Sequence, residues 1–184
     1  MSAVAEQLVR PLPWRALAFA VVLAVLTLLA PGGSPGEWSG FPTAFADNRC
    51  WDTRPTERGF TQKLNAARVN AGKGRLSLDP ETSKAARRHT TKMVNRKLLH
   101  HTPNSTLGRR VTKWSTLGEN VGVGGTVSSL HAAFMNSPSH RSNILYSSFR
   151  HVGVGSLRRG GRLWVTVIFE AATDPGTTLR MPRC

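Results

Sequence analysis

Gly118-Glu119-Asn120-Val121, then Asn136-Ser137-Pro138-Ser139-His140-Arg141-Ser142-Asn143-Ile144-Leu145, then Val152-Gly153-Val154-Gly155 follow one another in a short stretch of the chain. One carboxylate, one imidazole and a strand-forming run therefore succeed each other at a spacing that few folds use. A further imidazole, His101, lies just upstream in Leu98-Leu99-His100-His101-Thr102-Pro103. Two histidines and a glutamate can bind a divalent metal or share protons. Whether this chain uses them depends on what folding gathers around them.

The clearest strand signal lies just after this stretch. His151–Leu157 and Leu163–Phe169 flank a connection with Gly160-Gly161 at its tip, and two such runs around a glycine-containing turn predict a β-hairpin. Upstream, the pattern turns helical. Phe60, Leu64, Ala67 and Ala71 recur at helical spacing, with Lys63, Asn65 and Arg68 between them, and Gly72 and Gly74 stop the run. Asp79-Pro80-Glu81 supplies an N-cap, a proline at the first helical position and an acid in the first turn. Ala85, Ala86, His89, Met93 and Leu98 continue that second helix, whose other face carries Lys84, Arg87, Arg88, Lys92, Arg96 and Lys97. Val127, Leu130, His131 and Phe134 predict a third helix ending before Pro138. Residues 101–105 read as a turn, 107–116 carry no decisive period, and the glycines of 122–125 read as a loop. Helices first and strands last, without βαβ alternation, predict an α+β fold with an antiparallel sheet.

The first 46 residues differ from the rest. Arg10 and Arg15 flank Trp14, and Ala16–Ala30 runs without a charge. Fifteen helical residues span about 22 Å, short of the roughly 30 Å hydrocarbon core. With Ala44-Phe45-Ala46 as a cleavage site, residues 1–46 read as a secretory signal that leaves Asp47 first. An uncleaved N-terminal anchor with a Gly/Pro-rich linker is the alternative, and only then would the leader contact a membrane. The expected organisation continues with an arm over 47–59, a domain over 60–170 and a tail over 171–184. The exported part retains 138 residues, enough for one core. Arg10 and Arg15 cancel Glu6 and Glu37, so the whole formal charge of +15 belongs to that part. Such a surface attracts polyanions and anionic membranes. In the envelope or outside the cell the candidates are anionic lipid and cell-wall polymer. No nucleic-acid-binding motif accompanies the dispersed Arg87-Arg88, Arg109-Arg110 and Arg158-Arg159 pairs, so specific nucleic-acid binding is not expected. A monomer is expected. Cys50 and Cys184 are the two cysteines. In an exported chain an even count predicts a disulfide, which would close more than 130 residues and contribute about 4–5 kcal/mol in the chain-entropy view. Two free thiols, or pairing between chains, are the alternatives.

Taken in order, Leu64–Arg68, Leu78-Asp79-Pro80-Glu81, Leu99–Thr102, Gly118–Val121, Met135–Leu145, Val152–Gly155 and Trp164–Val167 resemble the CAP superfamily, or SCP domain, of cysteine-rich secretory, antigen 5 and pathogenesis-related 1 proteins. The likeness is to its compact bacterial branch and covers roughly residues 60–170. It implies an α-β-α sandwich, a central antiparallel sheet between helical layers with a cleft on one side. It also implies that the cleft holds two histidines and two acids, able to take zinc or another divalent cation. His101 matches the first histidine, Glu119 the glutamate and His140 the second histidine. The second acid is missing: Phe134-Met135-Asn136-Ser137 stands where it would be, and no Asp or Glu occurs from Asn120 to Phe169.

Members of this family bind lipids in some cases and are proposed hydrolases in others. The residues therefore support two functions: binding of a lipid, wall polymer or protein at a cleft of His101, Glu119 and His140, or metal-assisted hydrolysis by the same three groups. With one carboxylate where two are needed, binding comes first. His89 reads as a buried core histidine and His100 as pointing away, while His131 and His151 have no partner legible in sequence. Ser137, Ser139 and Ser142 surround His140, yet no Gly-x-Ser-x-Gly elbow exists.

Overall fold

The computed structural model describes residues 3–9 and 52–172. The apolar run 16–30, the cleavage motif 44–46, Cys50 and Cys184 lie outside the described residues.

The elements are β1 (Ala3–Val9), α1 (Pro55–Asn70), β2 (Ser77–Leu78), α2 (Pro80–Arg96), α3 (Asn104–Arg110), β3 (Trp114–Gly124), α4 (Val127–Asn136), α5 (Pro138–Leu145), β4 (His151–Arg159) and β5 (Arg162–Ala172). The sheet order is β1-β3-β5-β4-β2. β3, β5 and β4 pair antiparallel, as expected, and form its centre. The sheet as a whole is mixed, because Ser77-Leu78 adds parallel to His151-Val152. A two-residue strand carries too little alternation for its direction to be legible in sequence.

The β4–β5 hairpin closes where the glycines predict. Arg159 pairs with Arg162, and Gly160 and Gly161 take φ of +56° and +69°, the left-handed pair that a tight two-residue turn requires. Along β5, successive side chains alternate between faces. Val165, Val167 and Phe169 join α1, α4 and α5 through Phe60, Leu64, Leu130, Phe134 and Ile144. Ile168 joins α2 and α3 on the other face through Ala85, Ala86, Leu107 and Val111, with Trp114 and Leu117 of β3. Helical layers thus cover both faces, giving an α-β-α sandwich. Each buried Phe or Leu contributes about 1.5–3 kcal/mol.

Three local differences from the sequence reading have physical causes. α1 begins at Pro55, inside the stretch read as an arm, because Glu57 accepts the Arg54 N–H at 3.2 Å and the Arg87 Nε–H at 2.9 Å. Gly122 and Gly124 belong to β3 and not to a loop. A Cβ at Gly122 would meet Phe134 at 2.9 Å and one at Gly124 would meet Leu130 at 3.0 Å, so the absent side chains admit α4. A further helix, α5, follows where only the end of the third was expected, and His140 sits inside it with Pro138 at the first helical position.

Candidate functional site

β3 delivers Glu119, which is 1% exposed, to the α2–α3 side of the sheet. One carboxylate oxygen, Oε1, accepts the His101 Nδ1–H and the Thr102 backbone N–H, both at 2.8 Å. This joins the strand to the segment leaving α2 and fixes the His101 tautomer. His101 Nε2 and Glu119 Oε2 are buried with no hydrogen-bond partner in the structure. The space beside Glu119 is lined by Gln7, Leu8, Thr102, Asn104, Leu107 and Leu117, and is too tight for a water molecule. Gln7 and Leu8 come from β1, which pairs along β3 from Thr116 to Gly122.

Asn120, the next residue, points to the opposite face and docks α5. Its Nδ2 donates to His140 O at 3.1 Å, and Asn143 Nδ2 donates to Asn120 Oδ1 at 2.9 Å. The His140 ring lies flat on Phe134, with centroids 4.8 Å apart and planes within 7°, and its Nδ1 is 2.7 Å from Ser137 Oγ. Folding thus brings His101 and Glu119 into direct contact, whereas the ring contacts described for His140 belong to α4 and the start of α5. Among the described residues, no group of three or more His, Cys, Asp or Glu side chains is placed to hold a metal. His101 Nε2 and Glu119 Oε2 alone are fewer than the three or four protein ligands that zinc ordinarily takes.

The remaining histidines are structural in their contacts. His89, 1% exposed, bonds through Nε2 to His100 O at 2.7 Å, and burial lowers its pKa. His100 meets the His89 ring edge-on. His131 packs edge-on against Phe60, and burial followed by the Lys63 charge lowers its pKa. His151 does find a partner. Its Nδ1 lies 3.7 Å from Glu170 Oε2 across the β4–β5 ladder.

Glu170, the first acid after Asn120, was not singled out in the sequence. Its only signal is its position directly after the apolar run of β5. Burial, with Asp79 and then Glu81 close by, raises its pKa to about 8. The carboxyl is therefore largely protonated at neutral pH. An acid whose folded pKa lies above its unfolded value stabilises the fold at low pH, and that contribution is lost as pH rises through the folded value. Stability should therefore fall from about pH 5 to pH 8, by up to about 1.4 kcal/mol per pH unit. Urea midpoints at pH 5, 6.5 and 8 check this, and Glu170→Gln should flatten that slope.

Removing the Glu119 carboxylate leaves the Thr102 and His101 donors without an acceptor. Glu119→Ala is expected to cost about 2–3 kcal/mol, and Glu119→Gln less, because its amide oxygen still accepts. Thermal unfolding of the two variants beside the parent measures the difference.

Two grooves offer more room than the space beside Glu119. One, of about 490 Å³, runs along α1 and α4–α5 between Lys63, Ala66, Ala67, Ala71, Met135, Arg141 and Leu145, with Asn70 and His131 completing its wall. The other, of about 430 Å³, lies between α2 and α3.

A three-layer sandwich with a Gly-Glu-Asn strand clamped to a His-Thr segment defines an SCP-type domain. The chain belongs to the CAP, or cysteine-rich secretory protein, family, whose sequence profile matches residues 61–169. It is 31% identical over 115 residues to the uncharacterized protein YkwD of Bacillus subtilis (strain 168), an overlap of 59% of this chain and 44% of that one. The chain thus spans less than half the length of that curated relative. An outer surface protein from Borrelia burgdorferi shares the fold with a TM-score of 0.60 at 18% identity, over 67% of this chain and 98% of that one. An extracellular SCP-domain protein from Bacillus anthracis str. Ames does so with a TM-score of 0.53 at 24% identity, over 65% of this chain and 44% of that one. At such identities the likeness speaks for the fold. No helix among the described residues is long and apolar enough to cross a membrane.

Proposed function

We propose that this is an extracytoplasmic binding protein whose ligand is an amphiphile with an acidic head group, seated in the groove along α1 and α4–α5. The observation that carries this is the groove's composition. Ala66, Ala67 and Ala71 leave an open apolar floor beside Met135 and Leu145, and Lys63 and Arg141 stand beside it to receive an anion. A volume of about 490 Å³ falls in the range of sites that enclose small organic ligands. The apolar run 16–30 and the Ala44-Phe45-Ala46 motif, read as an export signal, support placement outside the cytoplasm, as do relatives described as extracellular or outer-surface proteins. Cleavage there would remove β1, and with it Gln7 and Leu8, from beside Glu119. The His101–Glu119 pair then acts as a clamp between layers, and nothing in its contacts favours metal-assisted hydrolysis.

Titration with oleate, read by tryptophan fluorescence or calorimetry, tests the reading. Ala67→Trp fills the groove and should weaken binding at least tenfold, while His101→Ala should leave it within about twofold. Undiminished binding by a folded Ala67→Trp variant contradicts the proposal. Capture of wall polymer in place of oleate would assign the domain to the other candidate ligand.

A further inference from the structure

The basic residues look dispersed in sequence, yet four of them meet in one place. Lys84 and Arg88 stand one turn apart on the outer side of α2, and Arg109 and Arg110 end α3. Together with Pro80, Glu81 and Ala85 they line the groove of about 430 Å³. We propose that this groove is a second binding site, for a phosphate ester group, separate from the amphiphile groove on the other face of the sheet.

Three observations carry it. Among the described residues none of these four cations takes part in an ion pair, so their donors remain available. The one acid in the groove is already committed: Glu81 Oε2 accepts the Thr112 N–H and Oγ1–H, each at 3.0 Å, bracing the start of α2 against the segment entering β3. Four cations against one carboxylate leave a local excess of three positive charges, whose mutual repulsion the fold sustains without a counter-charge. An anion in the groove relieves that repulsion.

The chemistry selects phosphate over a simple carboxylate. Three guanidinium forks and an ammonium offer more donors than two carboxylate oxygens can accept, whereas a phosphate ester presents three or more oxygens to planar, bidentate forks. The helix itself contributes little, since Asp79 already accepts the Glu81 and Thr82 backbone N–H groups at the start of α2. Side chains must do the recognition, which makes it sensitive to substitution. Pro80 and Ala85 provide a small apolar floor, room for the carbon adjoining an ester.

The test compares two triple variants of the full chain with equal net charge: Arg88→Gln/Arg109→Gln/Arg110→Gln in the groove, and Arg158→Gln/Arg159→Gln/Arg162→Gln at the β4–β5 tip. Each is titrated by calorimetry with glycerol 1-phosphate, and by flotation with vesicles of phosphatidylglycerol in phosphatidylcholine. The groove variant should bind at least tenfold more weakly, and the tip variant within twofold of the parent. A difference with glycerol 1-phosphate marks a soluble or polymeric ester as the source, and one confined to vesicles marks a lipid headgroup. Equal weakening of both variants, or no binding in either arm, overturns the proposal. Should the triple groove variant fail to fold, Lys84→Gln/Arg88→Gln, confined to exposed positions of α2, replaces it with the same expectation. Ala67→Trp should leave phosphate binding unchanged, so failure of the amphiphile reading and failure of this one are distinguishable.

Discussion

Arg68→Met should cost about 3–5 kcal/mol and lower the urea midpoint accordingly. Arg68 is fully buried in α1. Its guanidinium donates to four backbone carbonyls: Gly74 O and Ile144 O at 2.7 Å, Tyr146 O at 2.9 Å and Phe149 O at 3.2 Å. Burial, and then the charge of Arg150, lower its pKa, so the cation is held under electrostatic pressure. Methionine matches the stem but takes the Arg68 donor from all four carbonyls, at about 1 kcal/mol each, although Tyr146 O keeps the Phe149 N–H and Phe149 O keeps the Arg150 Nη1 donor. The connection from α5 to β4 would lose its tie to α1, and with it one wall of the amphiphile groove. Arg68→Lys should cost less, since a single ammonium can still reach some of the carbonyls. A loss below about 1 kcal/mol for Arg68→Met would show that the network is not what holds these elements together.

Gly153→Ala is expected to be as severe for a different reason. A Cβ at Gly153 would stand 2.1 Å from Thr82 C and 2.2 Å from Ser83 N, and one at Gly155 would stand 2.3 Å from Ala86 C. These are backbone atoms of α2, which cannot turn aside as a flexible side chain would. The helix must lift from β4, parting Thr90 from Gly155 O and Thr166, which it meets at 3.0 and 2.9 Å. The cost is about 3 kcal/mol or more, seen as a large fall in melting temperature or a failure to accumulate folded protein. Gly125→Ala is the control, because a Cβ there meets nothing within 4 Å, and its melting temperature should barely move.

The parts of the fold that the sequence displays are those with a strong local period. The hairpin around Gly160-Gly161 and the Asp79-Pro80 start of α2 follow from patterns that tertiary packing only reinforces. α3 and α5 escape because seven or eight residues carry no full apolar stripe. In α5, His140, Asn143 and Ile144 face inward, and two of the three read as polar. Arg68 and Asn65 look like the outer side of α1 by type. They are buried because the chain brings carbonyl oxygens to the first and Leu76 N–H and C=O groups to the second. Gly122 and Gly124 suggest a loop until Phe134 and Leu130 are seen filling the space.

The candidate site divides in the same way. The His101–Glu119 contact is legible through resemblance to a family pattern, since eighteen residues of separation offer no local clue. The grooves are not legible at all. Lys63 and Arg141, or Arg88 and Arg109, become neighbours only once separate helices pack side by side over one face of the sheet, and net charge says nothing about where cations converge. Glu170 is a related case, for its pKa near 8 comes from burial beneath the start of α2.

The most direct measurement is a map of amide and methyl chemical shifts in the isotope-labelled full chain during titration with oleate. Saturable changes centred on Ala66, Ala67, Ala71, Met135 and Leu145, with smaller ones at Lys63 and Arg141, are the predicted result. Changes confined to the neighbourhood of His101 and Glu119, or none at all, would contradict the account.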